Sequence, residues 1–221
     1  KAAAEIGELG DNTAAIRSQI RDDELLHAAL RGDADAVVLG HTRWASVGVI
    51  SEANAHPLNS DERSRTDGTF VTAALNGDID NFADLKAERD LRIAPEITTD
   101  AKVIPTLLSR AIDSGTDRIE AFRSTVASFD GSVAIGAVDG TAPDRLLLAL
   151  RGSGQALYVG FATDAYVVAS EPYGLVEEAD TFLRLDGETP SDPDQLSASR
   201  GQIVELTTAG AGTLQGLSRW S

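Results

Sequence analysis

Gly131-Ser-Val-Ala-Ile-Gly-Ala-Val138 marks a change of hydropathy period in this chain. Its apolar side chains no longer recur every three to four residues, and the turn dipeptide Asp139-Gly140 closes the run. A short apolar run bounded by turn residues reads as a buried strand. Five more such runs follow, at residues 145–150, 156–160, 165–169, 181–185 and 202–206. Most connections between them are short. Parallel neighbours need long crossovers, so antiparallel pairing is expected. Residues 187–200, rich in Pro, Ser and Asp, read as an exposed loop inserted within the last hairpin.

Upstream of Gly131 the spacing is helical. Residues 117–129 carry Ile119, Phe122, Val126 and Phe129 on one face. Thr99-Asp100 opens another helical stretch, in which Pro105 lies in the first turn or kinks the helix. Residues 81–89 also read as helix, and residues 9–31 as helix in two pieces, with Asp11-Asn12-Thr13 and Asp22-Asp23 supplying cap oxygens. Two strand-like runs lie between, a buried one at residues 34–40 and a second at 69–75, closed by Asn76-Gly77. Helices first and strand pairs afterwards predict an α+β domain over residues 1–221, with sheets covered by helices.

The 221 residues are 42% hydrophobic and 24% charged, the composition of a globular protein with a sizeable core. A formal net charge of −16 repels phosphate backbones and anionic lipid, which argues against nucleic-acid and membrane partners. With no cysteine there are no disulfides, thiolate metal sites or cysteine nucleophile in these residues. The three histidines have no close helical spacing, so no metal or other cofactor is expected. The chain begins at Lys1 and contains no methionine, and on that ground it reads as a fragment of something longer.

General catalytic templates are absent: there is no Walker-type Gly-Lys-Ser/Thr, no G-x-S-x-G, and Gly152-Ser-Gly154 reads as a hairpin turn. One region suggests chemistry. Gly40-His-Thr-Arg-Trp-Ala-Ser-Val-Gly48 is followed by Asn54-Ala-His-Pro57, then Asn76-Gly77, then Asp100 at a helix start. Arg43 can hold an α-carboxylate through two parallel hydrogen bonds, and Asp100 can pair with an α-ammonium. The Asn76 amide and the Gly77 N–H can donate to a developing oxyanion. The residues alone leave open a plainer alternative: Arg43 in a surface ion pair, Trp44 a core aromatic, and Asn76-Gly77 a type I′ turn.

The order HTRWA, NAHP, LNGDIDN and TTDAKVI resembles the class-II glutamine amidotransferase domain, in the branch of glucosamine-6-phosphate synthase (glutamine:fructose-6-phosphate aminotransferase). The family's usual text is HTRWATHG, NAHPH, HNGIIEN and TDTEVI. The resemblance continues through Asp130-Gly131-Ser-Val-Ala, Pro143-Asp144 with 149–153, and Val167-Val-Ala-Ser170, and ends in a closing hairpin of 182–187 with 201–205. It implies a four-layer αββα N-terminal-nucleophile sandwich of antiparallel sheets, here lacking its N-terminal strand. Lys1 corresponds to a point roughly 40 to 60 residues into such a domain.

By motif, the resemblance implies that Arg43 and Asp100 clamp glutamine and that Trp44 and Ser46 belong to a loop, 44–51, closing over it. Asn76 and Gly77 would form the oxyanion hole, at about 3–4 kcal/mol per donor. The implied nucleophile is an N-terminal cysteine outside these residues, and ammonia passes to a sugar-phosphate domain of the same cytoplasmic protein. A homodimer stays open. Ser46-Val47 replaces the family's Thr-His, and the alternative expectation is a catalytically silent domain that binds an amino acid or serves a structural or regulatory role.

Overall fold

The computed structural model describes residues 1–3, 11–43, 45–65, 67–192 and 194–221. Two helices come first, α1 (Asp11–Asp22) and α2 (Glu24–Ala29). Asp23 separates them, and its carboxylate accepts the Leu25 and Leu26 amides left unpaired at the start of α2. Neither helix buries a residue. Next come β1 (Leu58–Asn59), β2 (Val71–Gly77), α3 (Phe82–Glu88), α4 (Val103–Asp113) and α5 (Arg118–Ala127). Asp117 caps α5 by accepting the Ile119 and Glu120 amides. Pro105 lies in the first turn of α4, where its missing N–H has no partner to lose, so the helix runs on unbroken. The remainder is β3 (Val133–Asp139), β4 (Arg145–Arg151), β5 (Tyr158–Phe161), β6 (Tyr166–Ala169), β7 (Thr181–Arg184), β8 (Pro190–Asp192), β9 (Gln195–Ser199), β10 (Gln202–Thr207) and β11 (Leu217–Trp220).

The antiparallel expectation holds throughout. A six-stranded sheet has the order β1-β2-β3-β4-β10-β11, a three-stranded sheet the order β6-β5-β7, and β8 pairs with β9 alone. Helices α4 and α5 cover one face of the large sheet, where Ile104, Leu108, Phe122 and Phe129 pack on Ile135 and Leu147. Its other face meets the small sheet through Leu148, Leu150, Leu157, Val159, Leu185, Val204 and Leu206. Helix, sheet and sheet therefore stack as three of the four layers the resemblance implies; α1 and α2, which bury no residue, add no second helical layer among the described residues. Alternation along β4 and β10 divides each strand's side chains between these two apolar layers.

Three expectations need correction. Residues 34–40 form no strand and are mostly exposed, because no neighbouring strand supplies hydrogen bonds; they line a cavity of about 520 Å³ against Leu146, Leu148 and Val168. Residues 181–185 and 202–206 are not one hairpin: β7 pairs with β5 in the small sheet and β10 with β4 and β11 in the large one. The intervening 187–200 is not a plain loop, since β8 and β9 close their backbone bonds on each other as a two-stranded ribbon. Among the described residues no helix is long and apolar enough to cross a membrane.

Candidate active site

The last two residues of β2 form one wall of a cavity of about 650 Å³. Asn76 and Gly77 are not a hairpin turn. They continue the ladder opposite Ala134 and Val133, and the chain turns away at Asp78, whose N–H donates to Ser132 O at 3.2 Å. Gly77 has φ +120, and a Cβ built there would stand 2.0 Å from Ser132 O, so only glycine fits the corner. The Asn76 amide makes no hydrogen bond among the described residues, which leaves it available to a ligand.

Asp100 enters from the turn before α4 and is 4% exposed. Its Oδ2 accepts the Ile79 N–H at 2.8 Å, and its Oδ1 the Thr99 hydroxyl at 3.2 Å. Burial raises its pKa above the ordinary 3.8, opposed by the Ile79 and Ala101 amides and the Thr99 hydroxyl, and the nearby Asp78 charge adds to the rise. Arg43 reaches the same cavity from the loop after residue 40. Burial lowers its pKa, and the negative charge of Asp100 counters that. The two groups form no direct ion pair, and both line the same cavity.

The loop over Arg43 is pinned in three places. The guanidinium donates to Val47 O and to Val49 O. Ser46 Oγ donates to Asp78 Oδ1 at 2.7 Å, and the Val49 N–H to Thr98 Oγ1 at 3.2 Å. Gly48, at φ +83, passes so close to Thr98 that a Cβ would lie 2.7 Å from its Oγ1. Asp78, directly after β2, thus ties the Ser46 hydroxyl to the end of that strand.

Five of the six residues singled out by sequence, Arg43, Ser46, Asn76, Gly77 and Asp100, line this one cavity. Trp44 lies outside the described residues. The sequence reading left out the histidines: His41 and His56 also line the cavity, with ring centroids 4.5 Å apart and planes tilted by 39°. Burial pushes His56 down to about 3, helped by the positive charges of His41 and Arg43. His41 is lowered as well, by burial first and by Arg43. Their place inside the HTRWA and NAHP motifs was the available signal. His27, by contrast, is exposed on α2. No group of His, Cys, Asp or Glu among the described residues is arranged to hold a metal ion.

The helix–sheet–sheet stack carries its polar cavity at the end of β2, and residues 41–177 match the glutamine amidotransferase domain family. The chain belongs to that family. It is 36% identical over 154 residues to glutamine–fructose-6-phosphate aminotransferase (isomerizing) of Bacillus cereus, covering 69% of this chain and 24% of the relative. The enzyme of the same name from Oceanobacillus iheyensis is 34% identical over 188 residues, covering 83% of this chain and 29% of the relative. The chain thus spans about a quarter of the length of these curated relatives. Among solved structures, the glutamine phosphoribosylpyrophosphate amidotransferase of Bacillus subtilis shares the fold with a TM-score of 0.58 at 20% identity, over 81% of this chain and 33% of that one.

Proposed function

We propose that these residues are the glutamine-hydrolysing, ammonia-donating part of an aminotransferase that passes ammonia to a sugar phosphate held by another domain of the same protein. What carries the reading is convergence: Arg43, Asp100 and the Asn76-Gly77 corner come from three separate chain segments and face one cavity. Arg43 takes the glutamine α-carboxylate and Asp100 the α-ammonium, which turns the side-chain carboxamide toward the β2 corner. There the Asn76 amide and the Gly77 N–H stabilise the oxyanion that forms when a nucleophile adds to the carboxamide carbon. These 221 residues contain no cysteine, so the attacking thiolate comes from residues outside them. Attack forms a thioester and breaks the C–N bond, ammonia departs with the proton it gains, and water releases glutamate. The same reading places the protein in the cytoplasm, without nucleic-acid or membrane partners, and allows a homodimer.

A second reading, a silent domain that binds an amino acid or serves a structural or regulatory role, is favoured by one observation: Arg43 already spends donors on Val47 O and Val49 O. Calorimetry with glutamate and an ammonia-release assay with glutamine, both on the full-length protein, separate the two. Binding with turnover supports glutaminase action. Binding without turnover supports a silent amino-acid-binding domain, and absence of binding leaves only the structural or regulatory role. The isolated 221 residues are expected to release no ammonia from glutamine.

A further inference from the structure

Asn54-Ala-His-Pro57 touches both halves of the site without holding ligand charge itself. Asn54 is fully buried, at 0% exposure, with its side chain satisfied on every side. Its Oδ1 accepts the backbone N–H groups of Thr98 at 2.7 Å and Thr99 at 3.0 Å, and its Nδ2 donates to Ser51 Oγ at 2.9 Å and Glu96 O at 3.2 Å. Thr99 is the residue before Asp100. Two positions after Asn54, His56 sets its Nδ1 3.2 Å from Leu75 O and 3.4 Å from Leu75 N. Leu75 is the residue before Asn76.

The register explains why an imidazole is needed at this point. β1 pairs with β2 through Leu58 opposite Ala73, so continuing the ladder would set residue 56 opposite Leu75. β1 does not extend that far, and the His56 side chain meets the Leu75 peptide in place of a strand backbone. The Leu75 carbonyl shares one rigid plane with the Asn76 N–H, so holding that oxygen sets the direction of the corner that follows. An apolar side chain would fill the space without burying polar atoms. Here two are buried unpaired, His56 Nε2 and His41 Nδ1, so packing alone does not account for the pair.

We propose that Asn54 and His56 are paired positioning residues: Asn54 fixes the turn that presents Asp100 to the amino-acid ammonium, and His56 fixes the peptide plane that presents Asn76 and Gly77 to the oxyanion. The proposal rests on the glutaminase reading for what the corner and the carboxylate do. Its structural half, the two clamps, stands apart from that reading. Burial holds the His56 pKa down at about 3, so a neutral ring sets its Nδ1 against the Leu75 peptide through the physiological range, with the tilted His41 ring packed beside it.

The test uses Asn54→Ala, His56→Asn and His56→Gln in the full-length protein, with kcat and KM for glutamine hydrolysis. Asparagine places an amide N–H near the imidazole Nδ1 position, whereas glutamine is closer to histidine in volume but carries its amide farther out. Positioning predicts that His56→Gln lowers kcat about tenfold or more with KM within about twofold, while His56→Asn retains most of kcat. Asn54→Ala raises KM about tenfold with kcat within about twofold. If Asn54→Ala does not fold, Asn54→Ser, whose hydroxyl serves one amide instead of two, shows the same split in smaller measure. Glutamine substituting better than asparagine at position 56 would mean packing and overturn the proposal. So would a parallel fall in kcat and rise in KM that tracks loss of melting temperature at both positions.

Amide hydrogen exchange on the full-length protein supplies a readout that does not need turnover. Faster exchange at Asn76 and Gly77 in His56→Gln, and at Asp100 in Asn54→Ala, is the expected pattern. If the unsubstituted protein releases no ammonia but this pattern appears, the glutaminase reading fails and the clamps stand. Unchanged exchange removes the clamps whatever the activity.

Discussion

Replacing Gly77 with alanine probes the corner on which the proposed chemistry turns. The added Cβ would sit 2.0 Å from Ser132 O and 3.1 Å from Gln155 Cγ, and a real carbon needs at least about 3 Å from such an oxygen. The end of β2 must therefore move away from β3 by about 1 Å, at the rung where Asp78 N–H meets Ser132 O at 3.2 Å. Overpacking of this kind costs about 1–3 kcal/mol, and alanine at φ +120 adds about 1–2 kcal/mol. The expected loss is about 2–5 kcal/mol out of the roughly 5–15 kcal/mol that a folded domain possesses. Urea unfolding followed by tryptophan fluorescence reads this as a lower midpoint at unchanged slope. Gly115→Ala is the control: φ there is +88 but nothing lies within 4 Å, so only the backbone cost of about 1–2 kcal/mol applies. In the full-length protein the same displacement of the Gly77 N–H lowers kcat about a hundredfold. A loss at Gly77 no larger than at Gly115 would refute the steric argument, and a stability loss with full kcat would remove Gly77 from the oxyanion hole.

Arg43→Lys exchanges a two-pronged donor for a point charge, so glutamate affinity by calorimetry is expected to fall about tenfold; unchanged affinity would separate Arg43 from the carboxylate. Asp100 pairs with an ammonium only when ionised, and burial raises its pKa, so amino-acid affinity should weaken on acidification sooner than for an exposed carboxylate. Asp100→Asn should bind weakly and lose that pH dependence; a variant that kept it would place the titrating group elsewhere. Lys102 is fully buried, with its ammonium donating to Asn59 O at 2.5 Å and Asp61 O at 2.8 Å, and burial lowers its pKa from 10.5 to about 8, against the nearby charges of Asp61 and Glu62. Between those values the unfolded chain holds a proton that the folded one has released, so stability gains with rising pH from this group. Urea midpoints at pH ~7 and pH ~10 should therefore diverge between the unsubstituted chain and Lys102→Met, in favour of the former at the higher pH; a constant difference would refute the shift.

The elements legible in the sequence are those whose cause is local. Asp23 and Asp117 sit where their carboxylates can reach amides two and three residues on, and they cap helices in the structure. The apolar spacing of α4 and α5 and the short runs of β3 to β7 and β10 likewise need only their own residues to be read. Motif order singled out Arg43, Asn76, Gly77 and Asp100, which line one cavity, for the same reason: each lies in a short stretch of family text.

Partners far along the chain decided everything else. Residues 34–40 have the composition of a strand but no neighbour to complete their hydrogen bonds, and β7 and β10 look like hairpin mates yet join different sheets. Asn76-Gly77 reads locally as a turn and becomes a strand end because β3 runs alongside it. Asn54 and His56 acquire tasks only once folding brings Thr99 and Leu75 within hydrogen-bonding reach, 45 and 19 residues away. Local spacing fixes which face of a segment is apolar. Which backbone meets that face, and which buried polar atom finds a partner, is set only when the whole chain competes for the same interior.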